Sequence, residues 1–190
     1  MSIGKRQTVR IISGSKRGSK IQFPEVSGLR PSGDRIRETL FAWLQTSITR
    51  STCLDMFAGS GALGFEAASR GAGSVVMVEK NRTATAALQE NATRLKFDDI
   101  EIITADALSA ALYETRLAKH QFDLVFIDPP FAENLHNKAL ECVEQHISLA
   151  PEARVYIETG KRDADLEVPA HWQQYREKVA GEVRMQLYQT

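Results

Sequence analysis

The chain has little with which to build a stapled fold. Its 190 residues include two cysteines, Cys53 in the apolar run Thr52-Cys53-Leu54 and Cys142 in a helical pattern. Two thiols make no disulfide framework and no metal-binding spacing. They read as small buried hydrophobes in a reducing compartment. The four histidines, His120, His136, His146 and His171, are not spaced as a ligand set, so no metal is expected. No apolar run is long enough to cross a bilayer, and no charged-then-apolar leader opens the chain. The expectation is a cytoplasmic protein. No lysine sits in a phosphate-cradling glycine loop, which argues against phosphoryl transfer.

Net charge is also absent: 24 basic residues balance 24 acidic ones. The balance hides an asymmetry. Residues 1–50 hold ten Lys and Arg against Glu25, Asp34 and Glu38, a surplus of seven positive charges. The remainder carries the opposite surplus. A split of this kind points to an anionic partner at one end of the molecule.

Length and an apolar content of 43% fit one globular domain with a short appendage. Residues 1–30 read as a basic β-hairpin arm. Val9-Arg10-Ile11-Ile12 and Lys20-Ile21-Gln22-Phe23 alternate on either side of a turn at Ser15-Lys16-Arg17-Gly18. Residues 31–190 form the second unit. Pro31-Ser32 opens a helix with an apolar stripe at Ile36, Leu40, Trp43 and Leu44, which leaves Arg35, Arg37 and Glu38 off the stripe. From Thr52 the pattern becomes strand, turn, helix, repeated. Strands are expected at 53–57, 74–79, 100–105, 122–128 and 154–158, and helices at about 62–70, 82–95, 107–118 and 134–147. Tyr175–Val179 and Glu182–Tyr188 read as a terminal antiparallel hairpin. The class is α/β, Rossmann-like, with a mostly parallel sheet covered on both faces.

Three stretches carry chemistry. The first is Asp55-Met56-Phe57-Ala58-Gly59-Ser60-Gly61-Ala62-Leu63-Gly64, between a strand and a helix. Glycines there let the backbone turn sharply and approach a ligand, while Gly64 serves close helix–strand packing. Glu79 ends the next strand, where a carboxylate accepts both hydroxyls of a ribose. Together they indicate a nucleoside site. The second is Ala105-Asp106-Ala107 at the end of the third strand. Asp106 could accept from an adenine amino group and the backbone at Ala107 could meet the ring, although an Asp before a helix is also an ordinary cap.

The third is Asp128-Pro129-Pro130-Phe131, directly after the apolar strand Phe122–Ile127. The prolines fix the backbone and remove N–H donors, so carbonyls can point into a site. An exocyclic amino group is a poor nucleophile because its lone pair is delocalised into the ring. The Asp128 carboxylate and the Pro129 carbonyl, accepting its two hydrogens, favour a pyramidal nitrogen whose lone pair can attack a methyl carbon on a sulfonium. Phe131 would stack on the base. Base-carbon methylation usually needs a cysteine nucleophile, and neither cysteine lies at a strand end facing the cleft. Two other readings stay open: amino-group methylation of DNA adenine N6, and a nicotinamide-dependent oxidoreductase using the same glycine loop.

With these motifs the sequence resembles the RsmD family of 16S ribosomal RNA guanine-N2 methyltransferases. The likeness runs nearly end to end: Arg10-Ile-Ile-Ser-Gly14 with Gly18, Arg30-Pro-Ser-Gly-Asp-Arg-Ile-Arg-Glu38, Leu54 to Gly64, Asp128 to Phe131, and Leu187-Tyr188. Ser32 stands where the family form has Thr. The resemblance implies a seven-stranded S-adenosylmethionine-dependent methyltransferase fold with its last strand pair antiparallel. It implies that Phe57, Ala58, Gly59 and Gly61 border the cofactor, that Glu79 takes the ribose and Asp106 with Ala107 the adenine, and that Asp55 reaches the amino-acid end. It further implies action on a guanine of 16S rRNA in an assembled or partly assembled small subunit; a monomer is the default expectation. Arg10, Lys16, Arg17, Arg35 and Arg37 would grip the RNA backbone.

Overall fold

A computed structural model describes residues 6–25, 33–130, 134–163 and 166–190. The N-terminal strands β1 (Arg6–Arg10) and β2 (Lys20–Pro24) pair as an antiparallel hairpin. Helix α1 (Asp34–Trp43) follows. The body is then built from β3 (Thr52–Asp55), α2 (Ala62–Ser69), β4 (Ser74–Glu79), α3 (Arg82–Leu95), β5 (Ile100–Thr104), β6 (Phe122–Ile127), α4 (His136–His146), β7 (Leu149–Gly160), β8 (Gln173–Ala180) and β9 (Val183–Gln189). Seven strands form one sheet in the order β5-β4-β3-β6-β7-β9-β8. The first five run parallel, and β9 is antiparallel to both β7 and β8.

Alternation along each strand sends side chains to two cores. Cys53, Val75, Met77, Leu124, Phe126 and Tyr156 face the core that also holds residues of α1, α2, α3 and the hairpin. Leu54, Val76, Val78, Val125, Val155 and Ile157 face the core closed by α4 and the segment around Leu112 and Tyr113. Sequence order starts at β3, steps outward to β4 and β5, then returns to β6 on the other side. The carboxyl ends of β3 and β6 therefore flank the point where the winding reverses, where open α/β sheets bind ligands.

The expected elements are present with ends shifted by a few residues, the opening of α1 expected at Pro31-Ser32 lying outside the described residues, and with two larger differences. The segment expected as a helix over 107–118 holds a single π-helical turn, Leu112–Arg116. Asp106 ties up the first amides there through its side chain and its carbonyl, to Leu108 N at 2.9 Å and Ser109 N at 3.1 Å, which starts a tight turn instead of a regular helix. Strand β7 is 12 residues long, where five were expected: its start pairs with β6 at Leu149, with a register shift before Arg154, and β9 pairs along it from Arg154 to Gly160.

The hairpin is part of the body as well as an appendage by sequence. Ile11 and Ile21 are fully buried beside Leu40 and Phe65. Each such side chain contributes about 1.5–3 kcal/mol relative to exposure. The Asn91 side chain on α3 accepts from Gln22 N at 3.0 Å and donates to Gln22 O at 2.6 Å, adding a polar tie to β2.

Candidate functional site

Between β3 and α2 the chain reverses through Met56–Gly61. Met56 N donates to Phe126 O at 3.1 Å and Ala58 N to Val78 O at 2.9 Å, so the loop is sewn to the ends of β6 and β4. Gly59 (φ 51°) and Gly61 (φ 80°) lie in the left-handed region. At Gly61 a Cβ would also come within 2.6 Å of Leu88 and Phe65, so both conformation and space require glycine. A Cβ on Gly64 would meet Met77 Cε at 2.4 Å, the helix–strand packing expected of it.

Two carboxylates hold this loop. Glu79, half-buried at the end of β4, accepts from Gly59 N through Oε2 at 2.9 Å and from Asn81 N through Oε1 at 2.7 Å. Asp55, buried at the end of β3, accepts from Gly64 N at 3.1 Å. Burial pushes the Asp55 carboxyl up to about 7, and the nearby Glu79 charge pushes the same way against the amides of Gly64 and Phe57. Phe57 is half-buried and Ala58 buried in the loop between them. On the next strand out, Asp106 is exposed and caps the turn after β5. Ala107 is buried, its carbonyl accepting from the Tyr113 hydroxyl at 2.8 Å. Glycine loop, strand-end carboxylate and exposed acid thus stand on three adjacent strands, with acceptor oxygens suited to the hydroxyl and amino hydrogens of a nucleoside.

Asp128 and Pro129 follow β6, next to β3. Asp55 is in register with Phe126, which brings Asp128 beside the loop that begins at Met56. Asp128 is half-buried and Pro129 buried; Phe131 lies outside the described residues. The sequence reading missed a polar cluster next to them. Ile127 pairs with Ile157, so Asp128 and Glu158 are neighbours at the ends of β6 and β7. Glu158 is buried and its Oε2 accepts from the Tyr156 hydroxyl at 2.9 Å. Burial, then the charges of Glu158 and Asp128, push the Tyr156 phenol well above its ordinary value. His136 Nε2 lies 2.9 Å from Glu158 O, a satisfied buried histidine. The signal was available: Glu158 follows the apolar run Val155–Ile157, much as Glu79 follows Val75–Val78.

The basic residues separate into three groups. Arg10 is exposed, with Asp34 at 3.6 Å, and Arg35 at the start of α1 is exposed. Lys16 and Arg17 occupy the hairpin turn, which is tied to the last residue of α2 by Ser15 N to Ser69 O (2.7 Å) and Lys16 N to Ser69 Oγ (3.0 Å). Since α2 starts at the glycine loop and is eight residues long, this turn lies about 12 Å away, toward the opposite end of the sheet from Asp128. Arg37 departs from expectation. It is fully buried, donating to Glu66 Oε2 at 3.3 Å and Asp34 Oδ1 at 2.6 Å, and cannot reach RNA. Glu66, also buried, accepts in addition from Ile12 N (2.7 Å), Ser13 N (3.0 Å) and Arg70 Nε (2.7 Å), so one carboxylate joins the hairpin, α1 and α2.

A groove of about 520 Å³ lined by Phe97, Lys96, Ile100 and Ile102 lies along α3 and the outer edge of β5, away from these strand ends. Among the described residues no group of His, Cys, Asp and Glu converges as a metal site, and no helix is long and apolar enough to cross a membrane.

The model of the family described as Conserved hypothetical protein 95 matches residues 9–189. Ribosomal RNA small subunit methyltransferase D of Haemophilus influenzae is 44% identical over 183 residues, covering 95% of this chain and 93% of its own. A solved Escherichia coli structure described as a candidate methyltransferase, yhhF, is 39% identical with a TM-score of 0.84, covering 96% of this chain and 98% of that one. An RNA methyltransferase from Salinibacter ruber, solved with S-adenosyl-L-homocysteine, shares the fold at 16% identity with a TM-score of 0.63, covering 84% and 93%.

Proposed function

The chain belongs to the family of ribosomal RNA small subunit methyltransferase D, and we propose that it transfers a methyl group from S-adenosylmethionine to the N2 amino group of a guanine in 16S rRNA. The observation that carries this reading is the adjacency of two strand ends. The glycine loop after β3 and Asp128-Pro129 after β6 flank the same crevice.

The residues present suit the cofactor. Gly59 and Gly61 give the backbone clearance, Glu79 and Asp106 supply acceptors for the ribose and adenine, and Asp55 with Phe57 and Ala58 borders the amino-acid end. The cofactor supplies an electrophilic methyl group on a positively charged sulfur. The rest is done by the chain. Asp128 and the Pro129 carbonyl accept the two hydrogens of the guanine amino group, which frees its lone pair for in-line attack and orients it. Asp128 takes the proton released after transfer. Glu158 and Tyr156 pack behind Asp128 and hold the wall of the acceptor side. Phe131 stacks on the base, which must leave its own helix or loop to enter.

Arg10 and Arg35, both exposed near the start of α1, would hold the RNA close to the crevice. Lys16 and Arg17 would meet it farther away. The proposed substrate is the assembled or partly assembled small subunit, the protein acting as a cytoplasmic monomer with residues 1–30 as its first RNA-binding unit. Labelled methyl transfer to 16S rRNA, small subunits and DNA, run in parallel and followed by nucleoside digestion, tests the reading. The expected product is N2-methylguanosine in the ribosomal acceptors. Label in DNA alone, or on adenine, overturns it. Tight binding of a nicotinamide cofactor with none of S-adenosylmethionine would favour the oxidoreductase.

A further inference from the structure

Residues 51–190 carry seven more acids than bases, so the sequence directs attention to the first 50 residues for RNA contact. The fold nevertheless gathers cations on the far flank of the sheet. Strand β8 is the outermost strand, and Tyr175 is the extra residue of a bulge there, since Gln174 pairs with Tyr188 and Arg176 with Leu187. Bulges at sheet edges re-aim side chains. Tyr175 is one of two large exposed hydrophobic side chains of the described residues, at 38% exposure. The guanidinium of Arg154 from β7 lies 4.6 Å from its ring centre and that of Arg176 4.3 Å.

Two cations thus share one exposed ring. Among the described residues no carboxylate pairs with Arg154 or Arg176. Each is anchored by one bond to a backbone carbonyl, Arg154 Nη1 to Glu152 O and Arg176 Nη1 to Tyr175 O, both at 2.9 Å. Most of the five N–H donors on each guanidinium are left for another acceptor. The acid on this strand, Glu177, is in register with Gln186 on the other face and bonds to Gln174.

The line continues toward the crevice. Lys178 is in register with Met185 and Glu158, two residues beyond Arg176 and on the same face, and its Nζ lies 3.4 Å from Thr39 Oγ1 on α1. Two residues along a strand span about 6.8 Å, comparable with the step between successive backbone phosphates. The stripe therefore climbs from Tyr175 to the level of Asp128 and Glu158.

We infer that Arg154, Arg176 and Lys178, ordered around Tyr175, form a second RNA-backbone contact that holds phosphates on the side of the crevice opposite the N-terminal hairpin. Substrate RNA is then gripped from both flanks of the sheet. Guanidinia held by an aromatic face and a carbonyl are preorganised for phosphate oxygens, and such contacts weaken with salt. The inference rests on small-subunit RNA being the substrate.

The test compares the wild-type protein with Arg154→Gln/Arg176→Gln and with Lys178→Gln, using intact small subunits and small-subunit rRNA stripped of protein. For the double variant the KM for subunits is expected to rise roughly tenfold near physiological salt. The slope of log affinity for stripped rRNA against log salt should fall by about 0.7–0.9 per lost contact. The kcat, the affinity for S-adenosylmethionine and the Tm should match wild type, and Arg154→Lys/Arg176→Lys should restore the salt slope. Lys178→Gln should show a smaller change of the same kind. Unchanged KM and salt slope in a wild-type-active preparation overturn the inference alone. Lost affinity for subunits with unchanged affinity for stripped rRNA overturns it in favour of a ribosomal-protein contact. A wild-type protein that methylates no small-subunit RNA overturns the substrate reading itself.

Discussion

The two halves of the sheet use their carboxylates differently. On the β3–β5 side, Asp55 and Glu79 each accept from backbone amides of the loop or the turn next to them, Gly64 in one case and Gly59 with Asn81 in the other. On the β6–β7 side, Glu158 accepts from Tyr156 within β7, its carbonyl meets His136 of α4, and Asp128 sits on the neighbouring strand end. The first half is shaped by one continuous stretch plus the next strand end. The second is assembled from two strand ends 30 residues apart, Asp128 and Glu158, with His136 of α4 between them in sequence. A glycine loop can therefore be read from a motif, whereas the polar wall beside Asp128 emerges only when strands align.

If the halves are separable, damage to one should spare the other. Asp128→Ala should lower kcat about 10³-fold, the scale of losing a preorganised acceptor, while affinity for S-adenosylmethionine stays within twofold. Single-turnover methyl transfer and calorimetry measure the two. Loss of cofactor affinity would break the division. Glu66→Ala strikes the joint on the cofactor side. It strands the buried Arg37 and the amides of Ile12 and Ser13, and should cost about 3–5 kcal/mol in urea unfolding. Glu79→Ala should weaken cofactor binding roughly 10–100-fold, the scale of losing charged hydrogen bonds, with kcat at saturating cofactor changed much less.

The last effect concerns pH. Asp55 titrates near 7 in the fold and near about 4 in an unfolded chain, so the folded state holds a proton that the unfolded state releases between those values. Stability contributed by this group therefore falls as pH rises from about 4 to about 7 and levels off above. Denaturant midpoints across that range should show the decline, and Asp55→Asn should flatten it. A midpoint profile identical to wild type would mean that Asp55 is ionised in the fold.

Much of this was legible in the sequence. Ser74–Glu79 and Arg82–Leu95 were read to the residue, because an unbroken apolar strand and an Asn81 cap bound them cleanly. Arg37 was misread for a physical reason. The buried stripe of α1 and the turn after it is Arg37, Leu40, Phe41 and Leu44, at regular helical spacing, but a charged residue was assigned to solvent by type. Its partner Glu66, 29 positions away, could not be paired with it by any local pattern. The basic stripe on β8 was hidden for the same reason, since Arg154 and Tyr175 meet through β9. The position of Lys16 and Arg17 depended on where the hairpin docks, which the Ser69 contacts decide.

In the proposed complex the cofactor lies in the crevice at the ends of β3, β4 and β5, with Asp128 at its edge. Backbone amide spectra recorded during titration with S-adenosyl-L-homocysteine test it most directly. The largest shifts are expected on Phe57–Gly61, Glu79, Asp106, Ala107 and Asp128. Shifts concentrated on the groove at Lys96–Ile102, with the Gly59–Gly61 loop silent, would contradict it.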